Sequence, residues 1–107
     1  MEIKDYVGKF AKVDGHLGMI DNVYGNRLGF IWSDKDSWTG HLCEVEEVEI
    51  LTDSEQIAQA RLSAKNYLLR ERASLKARIA RKLKIDDPQT LQELLDYITA
   101  WIMRLGE

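Results

Sequence analysis

Glycine and proline are unevenly distributed along this chain of 107 residues, and that distribution strongly constrains the fold. Six of the seven glycines lie in the first 40 residues, among β-branched and aromatic residues. From residue 54 no glycine or proline occurs until Pro88, which is the single proline. Short apolar runs separated by glycine are typical of strands and tight turns, whereas a long segment without breakers favours helix. We therefore predict an α+β fold, with strands first and helices second.

The strand half contains two clear turn signals. Asp14-Gly15 and a Gly-Asn pair at 25–26 favour hairpins, because Gly and Asn tolerate positive φ. In "RLGFIW", Leu28, Phe30 and Trp32 alternate onto one face and Ile31 lies on the other. Between "WTGHLCEV" and "EVEIL" the alternation slips by one residue, which predicts a bulge or short turn at 46–47. Five short strands within residues 1–52 suit a small, strongly bent barrel.

The stretch "GKFAKVDGHLGMIDNV" has an apolar strand ending at Val13, Gly15 in the turn and Gly18 three residues later. Ile20 and Val23 follow in the next strand. Over residues 6–51 the pattern resembles the SH3-like β-barrels, and among them the KOW type. The resemblance implies an N-terminal five-stranded SH3-like barrel whose basic loops contact RNA or RNA-polymerase-type partners. Residues 1–53 lack the basic character that this resemblance implies, because five basic and eleven acidic residues give them a net charge of −6.

Residues 53–107 are predicted to form a two-helix hairpin. A long helix over 54–84 begins at a capping box of Thr52 and Glu55, with Asp53 as the competing cap. A second helix over 88–105 has Pro88 in its first turn, where the missing N–H costs nothing. Seven apolar residues recur at helical spacing on one face of this second helix: Leu91, Leu94, Leu95, Ile98, Trp101, Ile102 and Leu105.

The long helix carries two apolar ridges. The first ridge consists of Ile57, Ala64, Leu68 and Leu75. The second ridge lies roughly 120–140° around the helix and consists of Ala58, Leu62, Leu69, Ala73 and Ala80. Two ridges predict two neighbours. One is the final helix, and the other is the barrel or a second copy of the chain, so a homodimer through the C-terminal helices is one expectation.

Positive charge is concentrated in residues 61–84, which hold nine basic residues and one acid although the whole chain has a net charge of −3. We define the basic row as Arg61, Lys65, Arg72 and Lys76, which run between the two ridges. A second basic face contains Arg70, Arg78, Arg81 and Lys82. Three interpretations stay open: the helix binds nucleic acid, it docks an acidic protein surface, or its charges only pair with the acidic half of the chain.

Few residues suggest chemistry. His41 and Cys43 lie two apart on a predicted strand, but no orienting third group or oxyanion site accompanies them. A zinc site from His16, His41 and Cys43 lacks a further ligand. No phosphate-binding loop is present, and we expect no catalytic residue, no metal and no cofactor. Trp38 follows a polar loop and is a candidate anchor for a protein partner.

The composition favours a cytoplasmic protein. The N-terminus is charged from its second residue, which argues against a signal peptide, and no apolar run is long enough to span a bilayer. Cys43 is the single cysteine, so no internal disulfide can form. We expect a non-catalytic binding or regulatory module that acts on nucleic acid or a nucleic-acid-processing machine. The alternative is a protein adaptor or inhibitor that docks an acidic partner surface.

Overall fold

The computed structural model describes residues 2–34, 38–81 and 88–106. The chain is α+β, as predicted: a five-stranded antiparallel sheet is followed by two helices. The strands are β1 (Phe10–Val13), β2 (His16–Tyr24), β3 (Arg27–Ser33), β4 (Trp38–Cys43) and β5 (Glu49–Ile50). The helices are α1 (Ser54–Arg81) and α2 (Pro88–Leu105). Short 3₁₀ turns occupy Ile3–Tyr6 and Val45–Glu47, and the second is the short turn expected before β5.

Both predicted hairpins are present. In the first, Val13 pairs with His16, and Asp14 and Gly15 have φ values of 54° and 83°. Positive φ at both central residues gives the turn a twist that matches the twist of the strands. In the second hairpin, Tyr24 pairs with Arg27 across a turn in which the glycine has a φ of 66°.

The strand order is β4-β3-β2-β1-β5. Among the described residues β4 and β5 form the two edges of the sheet and do not pair with each other, so the sheet is open. The predicted closed barrel is therefore not confirmed. β5 has only two residues, which leaves little backbone for closing a barrel.

A register shift interrupts the pairing of β2 with β3. Ile20 pairs with Phe30, whereas the next pair on β2 is Asn22 with Gly29. One extra residue on β2 is therefore absorbed by a bulge at Asp21. A bulge of one residue exchanges the two faces of a strand, because side chains alternate with a period of two.

One face of the sheet carries the main core of the N-terminal part of the chain. The fully buried members of this core are Ala11, Val13, Ile20, Leu28, Phe30 and Cys43. Trp32 packs against them, which confirms that Leu28, Phe30 and Trp32 share a face. Gly18 permits this packing, because a Cβ there would lie 2.1 Å from the carbonyl oxygen of Ile31 and 2.9 Å from Cζ of Phe30.

The opposite face of the sheet lies against the N-terminal part of α1. Met19 and Ile31 are buried on this face and do not belong to the main core. The Ser63 hydroxyl accepts a hydrogen bond from the Ser33 N–H at 2.8 Å. Ala60, one turn before Ser63 on α1, is fully buried.

The helix begins where the sequence predicts, but Asp53 is the cap. A carboxylate oxygen of Asp53 accepts from the Gln56 N–H at 3.0 Å, and its carbonyl accepts from the Ile57 N–H at 2.9 Å. Asp53 therefore outcompetes Thr52 for this position. The predicted end of the helix at residue 84 lies outside the described residues.

The two ridges of α1 have different surroundings. In the first ridge Ala64, Leu68 and Leu75 are buried and Ile57 is half-buried, as predicted. The second ridge is different: Leu62 is 59% exposed and Ala73 is exposed. The start of α1 has the predicted neighbour in the sheet of unit 1, but the exposed side chains of Leu62 and Ala73 show that these positions of the second ridge are not covered within the part of the chain that the structure describes.

Contacts divide the chain into two compact units, Met1–Tyr67 (unit 1) and Leu68–Glu107 (unit 2). Unit 1 contains the sheet and the start of α1, and unit 2 contains the rest of α1 together with α2, which form the predicted helical hairpin. The helix α2 spans the predicted residues 88–105, and Gly106 ends it with a φ of 82°. Its buried residues are Leu91, Ile98, Trp101, Ile102 and Leu105. A division into domains at residues 52–53 stays a prediction.

Candidate functional site

In unit 1 the basic row borders an exposed apolar side chain. The guanidinium of Arg61 lies 5.1 Å from the centre of the Phe10 ring, a cation–π distance. Lys65 is half-buried and lies one helical turn after Arg61. Leu62, beside Arg61 in the sequence, exposes more of its side chain than any other leucine described. The surface therefore combines two cations with one apolar contact.

Unit 2 repeats this arrangement in sequence. The two pentapeptides are "RLSAK" at 61–65 and "RASLK" at 72–76. In each, an apolar residue directly follows the arginine, and a lysine lies three residues after that apolar residue. Arg72 is half-buried, whereas Ala73 and Lys76 are exposed. The two pentapeptides start eleven residues apart in the sequence, and each is described within its own unit.

The second basic face is partly described. Arg70 and Arg78 are half-buried, and both take part in interactions within the protein. Arg81 is the last residue of α1, and its side chain lies outside the description. Lys82 lies outside the described residues. Arg61, Lys65 and Arg72 of the basic row also take part in interactions within the protein, but among the described side chains Arg61 and Lys76 are exposed, whereas Arg70 and Arg78 are half-buried.

Unit 1 also contains a groove of about 250 Å³ on the face of the sheet where α1 lies. Gly29 on β3 and Gly40 on β4 form its floor, since Gly29 pairs with Leu42 and Gly40 pairs with Ile31. The two glycines are thus diagonal neighbours on one face of the sheet. A Cβ at either position would lie within 3 Å of another side chain, so the glycines let those side chains approach the sheet.

Two tyrosines and one acid lie over these glycines. A Cβ at Gly40 would be 2.8 Å from Oη of Tyr67, and a Cβ at Gly29 would be 2.8 Å from Cε2 of Tyr24. The same position at Gly29 would be 2.7 Å from a carboxylate oxygen of Asp21. Tyr24 is 51% exposed, so its side of the groove is open to solvent. We refer to Asp21, Tyr24, Gly29, Gly40, Leu42 and Tyr67 as the tyrosine groove.

The bulge at Asp21 explains the position of Tyr24. Before the bulge, Ile20 points into the main core, and after it the neighbouring Val23 takes that direction. Tyr24 is therefore turned to the opposite face, towards Gly29. The pairing of the strands thus sets the shape of the groove.

Trp38 begins β4 and is 43% exposed, a point that the sequence left open. It pairs with Ser33 and takes part in an interaction within the protein. Since β4 is an edge strand among the described residues, Trp38 and Leu42 both lie on an edge that is accessible to another chain. Trp38 is not among the residues that line the tyrosine groove.

His41 and Cys43 lie on β4 in different surroundings. The His41 ring packs edge-on against Phe30, with 5.6 Å between ring centres. Burial raises the pKa of the Cys43 thiol, and the charges of Glu47 and Glu44 raise it further. A raised pKa disfavours the thiolate that nucleophilic attack requires.

The three residues considered for zinc are also engaged elsewhere. The His16 ring stacks on Trp32 at 3.7 Å between ring centres, and Cys43 is a member of the main core. Within residues 2–34, 38–81 and 88–106, no three His, Cys, Asp or Glu side chains are grouped so as to hold a metal ion.

Sequence reasoning missed the tyrosine groove. It placed Gly29 and Gly40 within strand segments but did not ask why glycine occurs inside a strand at these positions. Glycine inside a strand pattern is a signal of close approach by another group. Nothing in the sequence indicates that Tyr67, far along the chain on α1, lies over Gly40.

Comparisons with known protein families, with curated proteins and with solved structures gave no match for this chain. None of the described helices is both long enough and apolar enough to cross a membrane.

Proposed function

We propose that this protein is a non-catalytic binding module that docks an acidic protein surface through the basic row and the exposed members of the second ridge of α1, Leu62 above all. The observation that carries the proposal is the high exposure of Leu62 between Arg61 and Lys65. An exposed leucine beside cations suits a partner with apolar and acidic side chains, because the leucine supplies buried area and the cations supply orientation.

The same combination recurs at Arg72, Ala73 and Lys76 in unit 2. The apolar stems of these long cations can lie on a partner surface while their charged groups stay hydrated. A partner that presents acidic residues beside an apolar stripe therefore fits either pentapeptide. Such a module would act as an adaptor or inhibitor.

Nucleic acid is the second candidate partner. Nine cations and one acid in residues 61–84 favour it, because cations that neutralise phosphates drive binding to nucleic acid. Phosphates offer nothing for Leu62 to bury against, so the two candidates differ in whether this leucine contributes.

The decisive variant is Leu62→Ser, which leaves the charge unchanged. Partners are captured from the host with the full chain, and each protein partner is purified and its affinity measured. If the partner is a protein, Leu62→Ser should weaken its binding by about tenfold, and the double variant Arg61→Glu, Lys65→Glu should weaken it further. Lys4→Glu is the matched control, since Lys4 is well exposed and lies outside α1.

Affinity for duplex DNA and single-stranded RNA is measured by fluorescence anisotropy with the same variants. Nucleic-acid binding predicts that affinity falls steeply with salt and with the charge reversals, and that Leu62→Ser has no effect. A purified partner that binds the wild type and Leu62→Ser equally well would contradict protein docking through this ridge.

Three further expectations from the sequence also remain proposals. The glycine-rich hairpin of β1 and β2 supports a relationship of unit 1 to SH3-like barrels of the KOW type. The exposed Leu94 and Met103 of α2 support a homodimer through the C-terminal helices, which the solution mass would test. The single cysteine, Cys43, supports a cytoplasmic location.

A further inference from the structure

We propose that the tyrosine groove of unit 1 is a second binding site, which takes the cationic side chain of a lysine or arginine from an extended partner peptide. This site is separate in its residues from the basic row and ridge of α1. It binds the opposite charge, so one chain would contact an acidic partner at α1 and a basic segment at the sheet.

The chemistry of the lining selects a cation. Phenol rings attract cations through their electron-rich faces, and phenolic oxygens also accept hydrogen bonds. Asp21 adds a carboxylate whose oxygen reaches the floor at Gly29. Asp21 already interacts within the protein, and a carboxylate has lone pairs for further donors. An anionic or phosphorylated ligand would be repelled by this carboxylate.

The volume of the groove, about 250 Å³, gives room for the stem of such a side chain. The glycine diagonal runs between the buried Ile31 and the half-exposed Leu42, so apolar surface borders the depression. Lysine and arginine carry apolar stems that pack on such surface while the charged end reaches polar groups. His41 also borders the groove, but its ring packs on Phe30.

The position of the groove at a sheet edge indicates a peptide. Gly40 and Leu42 belong to β4, the long edge strand of the described sheet, whose outer backbone groups can pair with an added strand. An extended segment paired with β4 would point alternate side chains to the face that carries the groove. The acidic balance of residues 1–53, with a net charge of −6, favours a basic segment.

The experiment uses the full chain, labelled with ¹⁵N, and a capped peptide Ser-Val-Thr-Xaa-Thr-Val-Ser. Xaa is arginine, lysine, norleucine or glutamate, so charge is varied on one extended background. Titration should shift the amide resonances of Gly29, Gly40 and Leu42 with the arginine and lysine peptides. The norleucine and glutamate peptides should bind at least about fivefold more weakly.

Two variants test the lining. Asp21→Asn keeps the shape and removes the charge, and Tyr24→Leu removes one phenol from an exposed position. Each variant should lower the affinity for the arginine peptide by at least about fivefold. Asp14→Asn is the matched control, since it removes an exposed acid from a turn that tolerates asparagine. Its affinity should equal that of the wild type.

Equal affinity for the arginine and norleucine peptides would overturn the proposal, as would unchanged binding in Asp21→Asn. The absence of any shift at Gly29 and Gly40 up to millimolar peptide would also overturn it. Leu62→Ser separates the two sites, because it should leave binding of the peptide intact while it weakens binding of the acidic protein partner. Failure at one site therefore does not imply failure at the other.

Discussion

The hydroxyl of Ser63 in α1 binds both backbone groups of Ser33 in β3. It accepts from the Ser33 N–H at 2.8 Å and donates to the Ser33 carbonyl at 3.1 Å. In return, the Ser33 hydroxyl donates to the Ser63 carbonyl at 2.7 Å. These three hydrogen bonds connect the start of α1 to the last residue of β3. They hold the helix against the face of the sheet that also carries the tyrosine groove.

Ser63→Ala is expected to lower the free energy of unfolding by about 1–2 kcal/mol, because it leaves the partly buried Ser33 N–H without its acceptor. Urea unfolding followed by circular dichroism measures this change. Ser74→Ala on the same helix is the control, since Ser74 is exposed and alanine is the better helix former. Equal stability of the two variants would show that the serine pair contributes nothing.

Gly18→Ala is expected to lower the free energy of unfolding by about 3 kcal/mol or more. The new Cβ would lie 2.1 Å from the carbonyl oxygen of Ile31, so β2 or β3 must shift. Gly25→Ala is the contrasting variant, because nothing lies within 4 Å of its Cβ but its φ is 66°. It should cost only about 1–2 kcal/mol. Thermal unfolding of both variants tests the order, which would be reversed if backbone conformation mattered more than space.

Asp53→Ala is expected to cost about 1 kcal/mol of stability, because Asp53 accepts from the Gln56 N–H at the start of α1. Thr52→Ala should change stability by less than about 0.5 kcal/mol, since Thr52 is exposed and is not the cap. Chemical unfolding of the pair decides between the two caps that the sequence offered. A larger loss in Thr52→Ala would restore the capping box with Glu55.

The buried Cys43 thiol predicts a loss of stability in alkaline solution. Burial and the charges of Glu47 and Glu44 raise its pKa above the ordinary value of 9.0, so the folded chain holds this proton more tightly than the unfolded chain. This contribution is complete below the unfolded pKa and is lost as the pH rises through the folded pKa.

The wild type should therefore lose stability more steeply above about pH 9 than Cys43→Ala, by at most about 1.4 kcal/mol per pH unit. Denaturant unfolding at several pH values measures the difference between the two proteins. Comparing them removes the contribution of lysines and tyrosines that titrate in the same range. Parallel curves would contradict a shifted thiol.

Local patterns in the sequence predicted much of the fold. The Asp14-Gly15 turn, the start of α1 after Asp53 and the span of α2 all depend on neighbouring residues, and the structure contains each of them. Helical spacing also placed Ala64 and Leu68 on one apolar ridge, and both are buried. Closure of the sheet depends instead on pairing between distant strands, which no local pattern specifies.

The two candidate surfaces also differ in whether they depend on local patterns or on contacts between distant segments. The basic row could be predicted, because charges along one helix follow from their spacing. The tyrosine groove could not, since it requires glycines on two strands, a tyrosine from α1 and a bulge that turns Tyr24. Exposure of the second ridge was also missed, because a helical pattern reports apolar faces and not which of them has a neighbour.

The extra residue at the Asp21 bulge determines which side chains of β2 face the interior of unit 1 and which face its surface. Val23 packs on the main core and Tyr24 lies over Gly29 only because β2 has one residue more than its partner requires. If the same sequence paired without the bulge, Val23 would lie opposite Arg27, and Tyr24 would take the direction of the core, because side chains alternate along a strand. Deleting Asp21 would instead keep Val23 opposite Leu28 and Tyr24 opposite Arg27, so the interior would tolerate this deletion while the groove would lose its acid.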